Sequence, residues 1–388
     1  MNAVGSIGGR HLARLGERGG LSTDRGFSVE WCIGADDRWH RPEQEVAVRQ
    51  SRRGAAPVYD TAMRVPGGDA VQRVYGIGGP SDLVVMEIAN ESPAPFVAGF
   101  VLRGELGRVT LEGARVRVGR RTVLVLPRVP ARWAHGRAIG EAVAIATSGG
   151  AGEGAFPRAK KVAEAVFLYP VAHRARVRGG VVLGDEAGTA VDMTLAPDAD
   201  DATRGWHAQL GRGMQLVVSD EAVRQRVDAA RADALLEAWG GRADATLFAT
   251  LEAWGLDEEA ARVWRRLGIR ARRRAARPDA LRSWLLEARD GLVSERDGHV
   301  DLLPDPAWLR DLPGIEVLDA PTRRGRVSFA LRRHADRLAL LWECERAGVR
   351  LRAPALDPAW ETSEPRGDAL LGAAASATEP QGGDLPGA

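Results

Sequence analysis

Ser219-Asp220-Glu221-Ala222-Val223-Arg224-Gln225-Arg226-Val227-Asp228-Ala229-Ala230 is the stretch on which the fold turns. Its apolar residues recur at helical spacing, with Val223, Val227, Ala230 and Ala234 on one face. Ser219 is placed to cap a helix whose first turn carries Asp220 and Glu221, which suits the positive end of the helix dipole. Gly240-Gly241 stops it. A second helix is expected over 244–254 with Leu247, Leu251 and Trp254 inward. A third starts at Asp257 and buries Val263, Trp264 and Leu267. A fourth opens at Pro278, with Leu281, Trp284, Leu285 and Ala288 inward and Gly291 beyond its end. Leu236-Glu237-Ala238-Trp239-Gly240 recurs as Leu251-Glu252-Ala253-Trp254-Gly255, as stacked hairpins of similar plan would.

On either side of this block the pattern changes to strands. Phe27-Ser28-Val29-Glu30-Trp31 alternates apolar and polar residues, the signature of a strand buried on one face. Further strands are predicted over 70–77, 83–89, 96–103, 108–112, 114–118, 122–126, 142–147, 165–169, 173–178 and 214–218. Pro66-Gly67-Gly68-Asp69, Gly79-Pro80-Ser81-Asp82 and Asn90-Glu91-Ser92-Pro93 supply turns between them. Many short strands without intervening helices predict antiparallel pairing in a sandwich and argue against a parallel nucleotide-binding sheet. The segment 198–206 reads as a loop or short helix leaving the sheet domain. Strands return at 315–317, 326–331 and 338–342.

The expected fold is therefore α+β and multidomain. Residues 1–24 form a flexible N-terminus, 25–218 an antiparallel β-sandwich, 219–299 a short α-hairpin block, 300–361 a small C-terminal β-sheet and 362–388 a disordered tail.

Composition narrows the function classes. A net charge of +2 gives no global pull toward nucleic acid or anionic membranes. Lys160 and Lys161 are the only lysines, so nearly all the basic charge is arginine. Cys32 and Cys344, far apart in a long chain, read as free thiols rather than a disulfide framework. No signal-peptide core and no membrane-spanning run is evident, so a cytoplasmic protein without membrane contact is expected. The seven histidines are scattered, none with the spacing of a helical metal site, and neither metal nor cofactor is expected. The glycine-rich 148–154 lacks the ending of a phosphate loop, and no Gly-x-Ser-x-Gly elbow occurs.

Asp301-Leu302-Leu303-Pro304, then Trp308-Leu309, then Ala320-Pro321-Thr322-Arg323-Arg324-Gly325-Arg326-Val327-Ser328-Phe329 resemble the closing segment of six-hairpin glycoside hydrolases, the glucoamylase, debranching-enzyme and rhamnosidase type. That resemblance implies an N-terminal β-sandwich, a linker helix, a toroid of helical hairpins carrying the catalytic carboxylates, and a small C-terminal sheet. One helical hairpin takes roughly 25 to 35 residues, so 219–293 has room for two or three. Most positions that would hold catalytic carboxylates are missing, and no catalytic residue is carried across. The expectation is a glycosidase-like, non-catalytic protein that binds or organises a glycan. The alternatives are an active glycoside hydrolase whose site a partner subunit completes, and an interaction protein that binds a polyanion through arginines. A truncated toroid leaves apolar helix faces, so a homodimer or protein partner is expected over the helical block.

Three sets of residues could serve these readings. Glu237, Glu252, Glu258, Glu259 and Glu287 are the helical carboxylates from which a glycosidase pair would be drawn. Trp31, Asp36, Asp37, Arg38 and Trp39 combine flat rings that stack on sugars with groups that bind hydroxyls, and are the candidate substrate-binding set. Arg262, Arg265, Arg266, Arg270, Arg272, Arg273, Arg274 and Arg277 form the basic stretch a polyanion would use.

Overall fold

The structure, a computed structural model, describes residues 1–78, 82–184, 193, 195–268, 280–296, 298–309, 314–334 and 337–371. It is an α+β protein built mostly of antiparallel strands. The chain packs as two compact units. One gathers Met1–Leu210, Asp228–Leu247 and Ala261–Arg274; the other gathers Gly211–Val227, Phe248–Ala260 and Ala275–Ala388. The helical stretch expected as a single block is shared between them.

The first unit is organised by a 16-stranded sheet. Its central path runs Phe27–Gly34, Phe96–Glu112, Arg115–Val118, Arg121–Val125, Arg176–Val182, Leu83–Asn90, Gly68–Ile77, Tyr59–Val65 and Val48–Arg52, every neighbour antiparallel. The strands expected over 96–103 and 108–112 are one strand. Gly104 (φ 146°) and Gly107 (φ 62°) sit where its register against Ala159–Val171 shifts, so these glycines bend the strand without ending it. The sheet curls round its own core. Gly179 lacks a side chain where the Phe100 ring packs, 3.1 Å from the place a Cβ would occupy, although their strands are not neighbours in the sheet.

Two local expectations in this unit are corrected. Residues 1–24 are not loose: Asn2–Val4, Ala13–Leu15 and Leu21–Thr23 are strands of the sheet, and Val4, Leu15 and Leu21 are fully buried. The apolar run 142–147 is helix, Glu141–Thr147, rather than strand. A short apolar run carries no decisive period. Here the buried Glu164 decides, accepting the Val143 N–H at 3.1 Å at the helix start while it pairs with Arg103 at 2.7 Å. Elsewhere on the sheet the buried Glu87 is held between Arg73 (3.1 Å) and Arg178 (2.6 Å), its partners on the two flanking strands. The helix Ala199–Leu210 follows, and Trp206 packs on Trp239 with ring centroids 5.7 Å apart.

The second unit holds a five-stranded and a four-stranded sheet in place of one small sheet. Gln215–Val218 belongs to the first of these, paired with Gly314–Thr322, and not to the N-terminal sheet as its position suggested. Arg366–Leu371 pairs with Arg337–Cys344, so the chain is ordered well past the expected start of the tail; residues 372–388 lie outside the described ones.

The helix signals are mostly placed as expected, with shifts of a residue or two. Asp220, not Ser219, caps Glu221–Gly240, accepting the N–H groups of Ala222 (2.8 Å) and Val223 (3.1 Å). Asp244 caps Ala245–Ala253 through the Leu247 N–H. Asp257–Arg266 buries Val263, and Leu267 just beyond its end is buried too, but Trp264 is 40% exposed. The last helix, Ala280–Leu292, runs through Gly291; Pro278 and the Leu281 side chain lie outside what is described.

Candidate functional site

The set Trp31, Asp36, Asp37, Arg38 and Trp39 is brought together at a hairpin in the first unit, but its members face different ways. Trp31 is 1% exposed, and its indole N–H donates to the Arg18 carbonyl at 3.1 Å. It is a core residue. Asp36 is exposed. Asp37 hydrogen-bonds one ring nitrogen of the buried His40 at 2.9 Å, and Glu45 faces the other at 3.2 Å. Arg38 grips Glu45 with two N–H groups, at 2.5 and 3.0 Å. The bond to His40 holds the Asp37 carboxyl below its ordinary range, and the bond from Arg38 does the same for Glu45. Trp39 is half-buried, with its ring about 3.0 Å from where a Gly34 Cβ would stand. Cys32, beneath this hairpin, is buried, and desolvation pushes its thiol up to about 12, so it stays protonated. The polar groups of this hairpin are largely engaged with one another.

An open arrangement of the same residue types occurs in the second unit. A cleft of about 350 Å³ is lined from four directions. Asp220, Val223 and Arg226 come from the first turns of Glu221–Gly240. Trp284, Glu287 and Ala288 come from Ala280–Leu292, where spacings of three and four place them on one face. Asp305, Ala307 and Trp308 come from the turn into the short helix Pro306–Leu309. Val218 and Ile315, paired across two strands, close the fourth side.

Several contacts fix this geometry. The buried Arg289 donates to the carbonyls of Val293 (2.7 Å) and Pro321 (2.5 Å), tying the helix end to the strand Gly314–Thr322. Trp254 donates to the Leu285 carbonyl at 3.1 Å. Gly291 is the hinge of the packing: a Cβ there would stand 2.9 Å from the Trp308 indole nitrogen and 3.1 Å from the Asp305 Cβ. Asp305 accepts the Ala307 N–H at 2.8 Å, which sets the turn that presents Trp308.

Trp284 and Trp308 are half-buried, while Glu287, Asp305, Asp220 and Arg226 are exposed. Among the described residues Glu287 makes no hydrogen bond or ion pair. The Arg226 guanidinium lies over the Trp284 ring, 4.0 Å from its centroid. The cleft thus brings together the Trp308 ring, the Trp284 ring beneath the Arg226 guanidinium, and carboxylates beside them.

Of the helical carboxylates, only Glu287 lines this cleft. Glu259 is buried and paired with Arg212, and Glu258 and Glu252 are exposed. Glu237 lies in the first unit and Glu252 in the second. The sequence reading placed Trp284 inward and used Trp308 for the family resemblance; the spacing Trp284-x-x-Glu287 was the available signal. In the basic stretch, Arg266 donates to the carbonyls of Ala238, Trp239 and Gly241 at the end of Glu221–Gly240, a helix-capping role. Arg262 and Arg265 are the other described members; Arg270, Arg272, Arg273, Arg274 and Arg277 lie outside the described residues.

Among the described residues, no group of three or more His, Cys, Asp or Glu is placed to hold a metal ion, and no helix is long and apolar enough to cross a membrane. Compared with models of known protein families and with curated proteins, the chain matches none.

Proposed function

We propose that this protein binds or organises a glycan without cleaving it, and that the cleft between Trp284 and Trp308 is its binding site. The observation that carries the reading is the pairing of two half-buried tryptophans with three carboxylates and an arginine in one open cleft. Pyranose rings present an apolar face that stacks on indole and a rim of hydroxyls that carboxylates accept and arginine donates to. The volume lies at the low end of the range of small-ligand sites and has room for a mono- or disaccharide unit. On this reading the curled sheet is a sandwich-type support domain, as in the six-hairpin glycosidase layout, the protein is cytoplasmic, and a second copy or another protein covers the remaining apolar helix faces.

The test is thermal denaturation and calorimetric titration with a panel of oligosaccharides, on the wild type and on Trp308→Ala. A ligand at 100 times its Kd raises stability by about 2.7 kcal/mol, a readable shift of the midpoint. The expected result is stabilisation by one sugar class, lost in Trp308→Ala while the apo midpoint is kept. Product release from the bound oligosaccharide would turn the reading to the glycoside hydrolase alternative. Absence of binding by every sugar would overturn it.

A further inference from the structure

We infer that the cleft selects glycans bearing free amines, that is, deacetylated amino sugars, over neutral or acidic ones. This rests on the glycan reading of the same cleft.

Among the described residues that line the cleft, Asp220, Glu287 and Asp305 are three carboxylates against one arginine, Arg226. Asp220 and Asp305 each give one oxygen to backbone N–H groups, which leaves their negative charge in place. Glu287 has no protein partner among the described residues. The chain as a whole carries +2, so a preference for cations cannot come from its global field and must come from a local one. Acidic sugars would meet three carboxylates and are disfavoured. A neutral sugar can use the tryptophans and leaves the excess negative charge unanswered. A protonated amine answers it.

The aromatic part of the cleft points the same way. Arg226 already lays a cation on the Trp284 face, so this ring accepts positive charge in the folded protein. Arg226 is exposed, and that ring contact is its one charge-type contact among the described residues. An amine on a bound sugar can therefore lie against Trp308, or replace the guanidinium on Trp284, with Glu287 beside it.

The experiment compares three oligosaccharides of equal length by calorimetry: a β-linked glucosamine oligomer with protonated amines, its fully N-acetylated counterpart, and a glucose oligomer. At low ionic strength the glucosamine oligomer is expected to bind about tenfold more tightly than either of the others. The advantage should shrink as salt is raised past about 0.1 M, where charges about 10 Å apart are screened. Glu287→Gln, an exposed and isosteric change, should weaken the glucosamine oligomer far more than the glucose oligomer, so that most of the advantage is lost. Equal or tighter binding of the acetylated or glucose oligomer at low salt would overturn the inference and leave the glycan reading standing. So would an amine preference that survives Glu287→Gln undiminished, because it would then arise elsewhere. If none of the three binds, the glycan reading falls and the inference with it.

Discussion

The hairpin at Trp31–Trp39 and the cleft at Trp284–Trp308 contain the same ingredients, two tryptophans with carboxylates and an arginine, and differ in what those groups do. In the hairpin, Trp31 is in the core and its N–H is bonded to Arg18, while Asp37, His40, Glu45 and Arg38 satisfy one another. In the cleft, both tryptophans are half-buried at an open cavity, with Arg226 lying over Trp284, and Glu287 has no protein partner among the described residues. Residue type alone does not make a site. What separates the two is whether the polar groups are engaged with the protein or left for a ligand.

The sharpest way to break this comparison is to remove a tryptophan from each region. Trp31→Ala should cost about 3–5 kcal/mol, the usual range for emptying an aromatic core position. Trp308→Ala should cost no more than about 1 kcal/mol, as expected for a partly exposed residue. Urea unfolding of both variants checks this. A mild Trp31→Ala and a severe Trp308→Ala would exchange the roles of the two regions.

Gly291→Ala comes next in size. The added methyl meets the Trp308 indole nitrogen and the Asp305 Cβ inside van der Waals distance, so the turn must move. A loss of about 1–3 kcal/mol is expected, together with weakened ligand binding. A variant that binds normally would show that the cleft does not depend on where Trp308 stands.

The sequence made some of this legible and hid the rest for physical reasons. Helix ends were readable because capping is local: Asp220, Asp244 and Asp257 stand at or beside the starts, and Gly255 follows Ala245–Ala253 with φ +70°. Strand pairing was not readable, since Gln215–Val218 finds its partner about a hundred residues away in Gly314–Thr322. Glycines misled in one place, where Gly104 and Gly107 bend a strand that the pattern read as broken. The cleft was invisible for a related reason. Its walls come from four separate segments, and only tertiary packing decides that Trp284 faces an opening instead of a core.

Acid sharpens the contrast within the hairpin itself. The Asp37 and Glu45 carboxyls are held low by His40 and Arg38, so the native state favours their charged forms. Stability from such groups is present above their unfolded values, near 4, and is lost as pH falls through the lower folded ones. Trp39 fluorescence should therefore report loosening of this hairpin below about pH 4. A signal that stays flat down to the global acid transition would mean that the network contributes nothing to local order.

Glu30, two residues before Cys32 on the same strand, should behave in the opposite sense, with the smallest effect of the set. Its carboxylate is packed so closely on the backbone that a Cβ on Gly20 would stand 2.2 Å from Oε2. Burial raises its pKa first, and the attraction of Arg103 only partly offsets that. A carboxyl raised in the folded state contributes stability below its unfolded value and loses it as pH rises through the folded one. At neutral pH the charge is thus a cost, and Glu30→Gln should raise stability by about a few tenths of a kcal/mol. The difference from wild type should close as pH is lowered to about 4, where the unfolded carboxyl is itself largely protonated. Urea midpoints of the two proteins at the two pH values decide it. A Glu30→Gln protein less stable than wild type at neutral pH would mean that Arg103 outweighs desolvation, and that Glu30 belongs with Asp37 and Glu45 among the satisfied carboxylates of this region.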